Sequence, residues 1–504
     1  MTADPTADPV ASDAVRTGIR PRYGHFIGSD FEPTATATFP ALNAATGEHL
    51  SDLARGGTAD IDRAVRVAKK AFGGWRRTLP EKRASMLLRL ADAIEDDIER
   101  LAYIDALDIG RRIAETETDH RIAVSEFRFF AGAALNRTGF NRPIENGIAI
   151  ARREPLGVVG AIIPWNVPAI MVAHKLAPAL AAGNTVVLKP DEHAALSTLA
   201  LCEHISRIFP PGVVNVVTGF GEEAGAALTA HPDVRKLTFT GSSEVGRLVA
   251  TAAAQRLAPV SLELGGKSPN IIFPDIDDLD GVIDNAAFAA TYCNGQSCLA
   301  GTRLFVHDDI YRDVIDGLVA GFEKIVLGSP VAPTTGLSCL VSERQGKRVL
   351  GYIDTGREEG AKLLTGGRRV TVEGNEHGYF IQPTIFEATN DMRIAQEEIF
   401  GPVLSVIRWN DYETMISEAN GVRYGLASGI YTTNIANALD TADRLEVGAV
   451  WINKYFNLVD GSPIGGFKDS GYGSENAAET IDLYTHLKSI TLIGKPQDPF
   501  YLPQ

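Results

Sequence analysis

The sequence predicts an α/β fold, and three observations carry that reading. From residue 158 the runs "VVGAII", "TVVLK", "VVNVV" and "KLTFT" alternate with Ala-rich helical stretches, the βαβα pattern of a parallel sheet and of a nucleotide-type fold. A second series, "SPNIIF", "TRLFVH", "PTIFE", "VLSVIRW", "SGIYT" and "GAVWIN", repeats the pattern and predicts a second α/β domain over roughly residues 265 to 465. A chain of 504 residues also exceeds what one hydrophobic core supports, so two or more domains are expected.

The elements follow in chain order. Residues 1–20 have neither the basic start nor the apolar stretch of a secretory signal and are read as a flexible tail. Apolar residues at Ile61, Val65, Ala68 and Phe72, and at Leu87, Ile94, Ile98 and Leu101, recur at helical spacing and predict two amphipathic helices. The alternating stretches "GIAIARRE" and "SITLIGK" lie outside both strand series. They are read as exposed strands that pair with each other or with a neighbouring subunit.

Composition excludes several classes. With 45% hydrophobic and 22% charged residues the chain is globular, and no segment reaches the length of a membrane span. A net charge of −15 without a Lys/Arg stripe argues against nucleic-acid binding. Four cysteines (Cys202, Cys293, Cys298 and Cys339) without ligand spacing argue against a disulfide scaffold or a metal site, and for a reducing, cytoplasmic setting.

The residues with chemical potential each carry two readings. Cys298, in "NGQSCLAGTR", is either a nucleophile or a small buried thiol. The glycine turns "VVTGFGEEAG" (Gly219, Gly221, Gly225) and "LTFTGSSEVG" (Gly241, Ser242, Gly246) follow strands, where backbone can approach a phosphate, or are plain loops. Lys189 and Glu192, at a strand end, suit the vicinal hydroxyls of a ribose or form an exposed ion pair. Glu192 would repel a 2′-phosphate, favouring NAD over NADP. Glu263, before two glycines, is a cleft base or a structural acceptor. Asn166, between Pro164 and Pro168, is an oxyanion donor or an Asx turn.

Together these stretches resemble the NAD(P)-dependent aldehyde dehydrogenase superfamily. The order "PWN" (164–166), "KP-DE" (189–192), "FTGS" (239–242), "LELGGKSP" (262–269), "GQSC" (295–298), "EEIFGPV" (397–403) and "GGFKDSG" (465–471) spans nearly the whole chain after the tail. The resemblance implies a Rossmann-like cofactor domain (21–134 with 155–264), a second α/β catalytic domain (265–484) and a small oligomerisation sheet (135–154 and 485–497). It implies Cys298 as nucleophile, Glu263 as general base, Asn166 with the Cys298 backbone N–H as oxyanion donors, and Lys175 and Glu475 in proton movement.

For NAD, the resemblance implies Lys189 and Glu192 at the adenosine ribose, Ser242 and nearby backbone at the pyrophosphate, Glu398 at the nicotinamide ribose and Phe400 beside the ring. Ile163, Pro164, Trp165, Gly221, Gly225, Phe239, Gly241, Val245 and Leu264 complete that set. Val167, Met171, His174, Tyr292, Ser297, Leu299, Phe456 and Ile464 are implied to line the aldehyde tunnel; His174 and Ile464 stand where many members carry large aromatics. The expected partners are a small-molecule aldehyde and further copies of the chain, as a homodimer or homotetramer. A cysteine hydrolase would have no use for NAD, an idle binding protein would not need both Cys298 and Glu263, and transfer to coenzyme A usually goes with loss of the glutamate.

Overall fold

The computed structural model describes residues 17–33, 37–136 and 139–494, so most of the expected tail, and positions 495–497 of the expected last strand, lie outside the described residues. The first strand series forms the middle of an eight-stranded sheet. Its parallel strands run, in spatial order, Val260–Glu263, Val234–Thr240, Val158–Ile162, Thr185–Lys189 and Val214–Val216. The earliest of them in sequence, Val158–Ile162, therefore lies in the middle, with later strands added to both sides. Crossover loops leave the carboxyl ends of Val158–Ile162 and Val234–Thr240 in opposite directions and open a crevice there, the usual ligand position in such sheets.

Residues buried on both strand faces explain the near-continuous Val/Ile runs. The crossover helix Pro168–Ala182 is buried along its whole length, starting on a proline at its first turn and stopping at Gly183 in the left-handed region (φ 94°). It packs between the sheet and the helix Ile113–Leu135, which makes every polar side chain on it costly unless paired.

The second series builds a seven-stranded sheet in the order Lys362–Thr365, Thr384–Glu387, Val403–Trp409, Arg303–His307, Pro269–Ile272, Ala427–Tyr431 and Ala449–Ile452, parallel except at the first edge. The short strand Gly471–Tyr472, inside the segment expected to belong to this second unit, instead pairs antiparallel with Val260–Glu263 of the first sheet. The two outlying stretches pair with each other within the chain, Gly147–Pro155 against Thr485–Ile493, and Phe140–Ile144 adds a third strand. Ile148, Leu487 and Leu492 remain exposed on this small sheet.

One side chain ties three of these parts together. Fully buried Asn184 accepts the Gly157 N–H through Oδ1 (2.9 Å) and donates through Nδ2 to the carbonyls of Ala179 (3.2 Å) and Tyr484 (3.0 Å). Asn184→Ala leaves the buried Gly157 N–H unpaired and takes one donor from each carbonyl, which keep the backbone N–H groups of Asn184 and Leu156, and is expected to cost roughly 2 kcal/mol. A denaturant midpoint equal to that of the unsubstituted protein would contradict this account of the joint.

Candidate active site

Cys298 follows a short left-handed turn. Cys293, Asn294 and Gly295 have φ of 59°, 55° and 71°, and for a non-glycine residue this conformation costs roughly 1–2 kcal/mol. Hydrogen bonds from all sides hold it. Asn294 Nδ2 donates to the carbonyls of Gly110 (3.1 Å) and Cys339 (2.7 Å), and Asn294 Oδ1 accepts the Ser338 N–H (2.9 Å). Gly295 lies against the Gly401–Pro402 backbone, where a Cβ would collide. Behind the turn, fully buried Arg111 pairs with Asp119 and Glu115 and donates to the Asn166 carbonyl (3.2 Å), while Glu115 accepts the Cys293 N–H (3.1 Å).

These restraints present Cys298 to a cleft of about 560 Å³ at the crevice of the first sheet. Pro164, Trp165 and Asn166 line it from the loop after Val158–Ile162, and Gly241 and Ser242 from the loop after Val234–Thr240; Leu264, Glu398 and Phe400 close the other wall. Asn166 is buried, and its Nδ2 donates to the Gln296 carbonyl (2.9 Å), which fixes the carboxamide and leaves it a second N–H. Glu263 ends its strand buried, with Oε1 lacking a hydrogen-bond partner. Burial pushes its pKa well above the usual carboxylate range, and the nearby Glu475 pushes it further while Lys175 opposes. Burial also pushes the Cys298 thiol up to about 12, reinforced by the Glu398 and Glu263 carboxylates and opposed by the N–H groups of Cys298 and Leu299.

A chain of ionisable groups lies behind Glu263. Lys175 donates to Glu475 Oε1, and His174 Nδ1 lies 2.8 Å from Glu475 Oε2. The other ring nitrogen of His174 is 3.3 Å from Glu126 Oε2. Burial raises the Glu475 pKa, but Lys175 and His174 outweigh it and hold it down to about 2.

The expected cofactor residues fall into three groups. Pro164, Trp165, Gly241, Ser242, Leu264, Glu398 and Phe400 share the cleft with Cys298. Trp165 and Phe400 meet edge to face at 5.3 Å, and Phe400 keeps a left-handed backbone (φ 63°) whose carbonyl accepts from Gln345 Nε2 (2.6 Å). Lys189 and Glu192 form a pair at 3.3 Å on the neighbouring strand end, with Glu192 lining a separate pocket of about 240 Å³ that shares no residue with the cleft. Ile163 and Phe239 are core residues beneath the cleft, and Val245 is an exposed residue whose N–H the Ser242 hydroxyl caps (3.3 Å). Gly221 and Gly225 sit in a π-helical turn where an added Cβ meets nothing, so no steric demand explains either glycine.

Among the expected tunnel residues, Tyr292 and Phe456 are in contact (4.9 Å), and Tyr455 donates to the Leu299 carbonyl (2.8 Å). Ser297 and Leu299 flank Cys298, Val167 and Met171 are buried at the start of their helix, and Ile464 pairs with Glu475 through backbone. Arg344 and Arg348, which the motifs do not point to, line the cleft, and Phe288 and Trp451 pack against Phe456. Phe288 precedes Tyr292 by one helical turn, the signal that could have found it.

Comparison with known proteins identifies the family. A model of the aldehyde dehydrogenase family matches residues 31–490. The fluoroacetaldehyde dehydrogenase of Streptantibioticus cattleyicolor is 41% identical over 490 residues, covering 95% of this chain and 96% of its own length. DhaS of Bacillus subtilis is 44% identical over 472 residues, covering 92% and 94%. The NAD+ complex of an aldehyde dehydrogenase from Bacillus cereus superposes with a TM-score of 0.92 at 40% identity, covering 98% of this chain and 100% of its own. From its motifs, its paired sheets and these relatives, the chain belongs to the aldehyde dehydrogenase family.

Proposed function

We propose that this protein oxidises an aldehyde to its carboxylic acid with NAD, through a thiohemiacetal and then a thioester on Cys298. The observation that carries this reading is the convergence of Cys298, Asn166 and the Glu398/Phe400 wall on one cleft at the crevice of the parallel sheet.

Each residue has a task that its surroundings suit. The Cys298 thiolate, the form that the last step restores, adds to the carbonyl carbon, and the resulting oxyanion is met by the free N–H of Asn166 and the backbone N–H of Cys298. Bound in the cleft, NAD supplies the acceptor for the hydride that the adduct releases. Glu263 then takes a proton from water as that water attacks the thioester carbonyl; the C–S bond breaks, and the acid leaves with the Cys298 thiolate restored. A carboxylate whose pKa is raised by burial is a stronger base than an exposed one, which suits this step.

The cleft has the features that the cofactor needs. Gly241 and Ser242 precede the amino terminus of the helix Ser243–Ala254, a favourable position for a pyrophosphate, and Arg344 and Arg348 add positive charge to the wall. Lys189 and Glu192 would hold the adenosine ribose and Glu398 the second ribose. Trp165 and Phe400, which meet edge to face in the cleft wall, would lie beside the nicotinamide ring. Three solved structures of relatives are NAD+ complexes. Among the described residues no helix is long and apolar enough to cross a membrane.

Three tests follow. Cys298→Ala should abolish NADH formation while NAD binding by calorimetry stays intact, whereas Glu263→Gln should allow about one turnover of NADH per site and then stall. Steady turnover in either variant would overturn its assigned role. NAD should be preferred over NADP through Glu192, and Glu192→Gln should narrow the preference by about 1 kcal/mol. Equal kcat/KM for both cofactors in the unsubstituted enzyme would contradict this. Exposed Leu487 and Leu492, on a strand with an open edge, support assembly as a homodimer or dimer of dimers. Deleting residues from 489 onward should dissociate it by light scattering, and a monomeric intact protein at micromolar concentration would refute the assembly.

A further inference from the structure

His174 lies on a helix whose every residue is buried, and the helix opposite it carries fully buried Glu126. Two ionisable side chains in such a place would weaken the fold if nothing required them, since apolar residues would pack there at no desolvation cost. Neither is available to solvent, and both ring nitrogens of His174 face carboxylates of this chain, which leaves no nitrogen for an aldehyde. Both Glu126 oxygens lack a hydrogen bond, so its contact with the imidazole is electrostatic.

We propose that His174, braced by Glu126, is a positioning residue for the hydrolytic half of the reaction: it holds the second oxygen of Glu475, whose first oxygen Lys175 holds, and so fixes a carboxylate on the loop after Gly471–Tyr472, the strand that pairs with the one ending at Glu263. The inference rests on the reading of Glu263 as the base that activates water. Glu475 acts on Glu263 through its charge, so whatever neutralises Glu475 makes the ionised form of Glu263 easier to reach.

The charged groups around His174 are Glu126 from the helix Ile113–Leu135, Glu475 from the loop after Gly471–Tyr472, and Lys175 on its own helix. Asp460 reaches Glu126 from the surface, and Lys236 lies beyond Glu475. Burial lowers the His174 pKa and the two carboxylates more than restore it, so the imidazolium persists to higher pH than usual and is lost as pH rises. Burial raises Glu126 to about 8 against the pull of His174, so this carboxyl keeps its proton to higher pH than an exposed one. Removing the imidazolium leaves the charge of Glu475 less compensated, which should move the acid limb of kcat, where Glu263 ionises, to higher pH.

The test uses the full-length enzyme with NAD and one aldehyde, comparing the NADH burst with steady turnover across pH. His174→Phe should lower steady turnover by roughly fivefold or more while the burst amplitude and the aldehyde KM change less than about twofold. His174→Asn, which places a neutral N–H near the position of Nδ1, should recover turnover at the plateau but keep the acid limb shifted upward by roughly half a pH unit. Glu126→Gln should shift the limb in the same direction, and it keeps the test open if His174→Phe does not fold. Wild-type limbs in both His174→Asn and Glu126→Gln, or equal loss of burst and turnover in His174→Phe, would overturn the proposal. Glu263→Gln is run alongside: steady turnover there would remove the underlying reading, whereas a stall there with unaltered His174 variants would remove this proposal alone.

Discussion

The left-handed turn at Cys293, Asn294 and Gly295 is the constraint on which the site depends. Conformations of this kind persist only where surrounding structure over-determines them, and here the surroundings come from distant parts of the chain. Asn294 is bonded to residues near 110 and near 339, Glu115 holds the Cys293 N–H, and the Gly401–Pro402 backbone leaves room only for a glycine at 295. The turn aims the loop carrying Cys298 away from its own sheet and toward the crevice of the other. Without it the thiol would lie apart from Asn166 and Glu263, which both belong to the unit built on the first sheet.

A second constraint is the price of charge in a dry interior. The helix Pro168–Ala182 is apolar enough to fill the layer between the sheet and the helix Ile113–Leu135, yet it carries His174 and Lys175. Glu475 reaches both, and the resulting cluster stays near electrical balance while lying next to Glu263. Arg111 plays the corresponding part on the other side of the cleft: its two carboxylate partners and the Asn166 carbonyl join the loop after the first central strand to the turn before Cys298. Stability and site geometry are thus set by the same buried ion pairs, and breaking one partner leaves a charge without compensation.

Much of this was legible in the sequence, and the reason is local. Strand runs such as "TVVLK" and "VLSVIRW" declare themselves because both faces are buried, and the residues that end them, among them Glu263, fall at the sheet edge where ligands bind. Cys298 and Asn166 stand in short motifs. What stayed hidden depends on contacts across long separations. Glu126 reads as one more charge on a helix, and nothing near it in sequence announces His174 opposite. Arg111 looks like a surface cation beside Arg112 until Asp119 and Glu115 are seen to enclose it. Gly221 and Gly225 fit a pattern, glycine after a strand, that suits a phosphate, yet the turn they occupy has room for side chains. The excursion of Gly471–Tyr472 into the first sheet could not be read either, since two residues carry no periodicity.

The measurement that bears most directly on the central claim is the mass of the enzyme caught in mid-reaction. Glu263→Gln protein mixed with NAD and an aldehyde, quenched in acid and digested, should carry the acyl group on the peptide containing Cys298, at close to one per chain and sensitive to hydroxylamine, as a thioester is. An unmodified Cys298 peptide after a full equivalent of NADH has formed, or the acyl group on Cys202, Cys293 or Cys339 instead, would contradict the account.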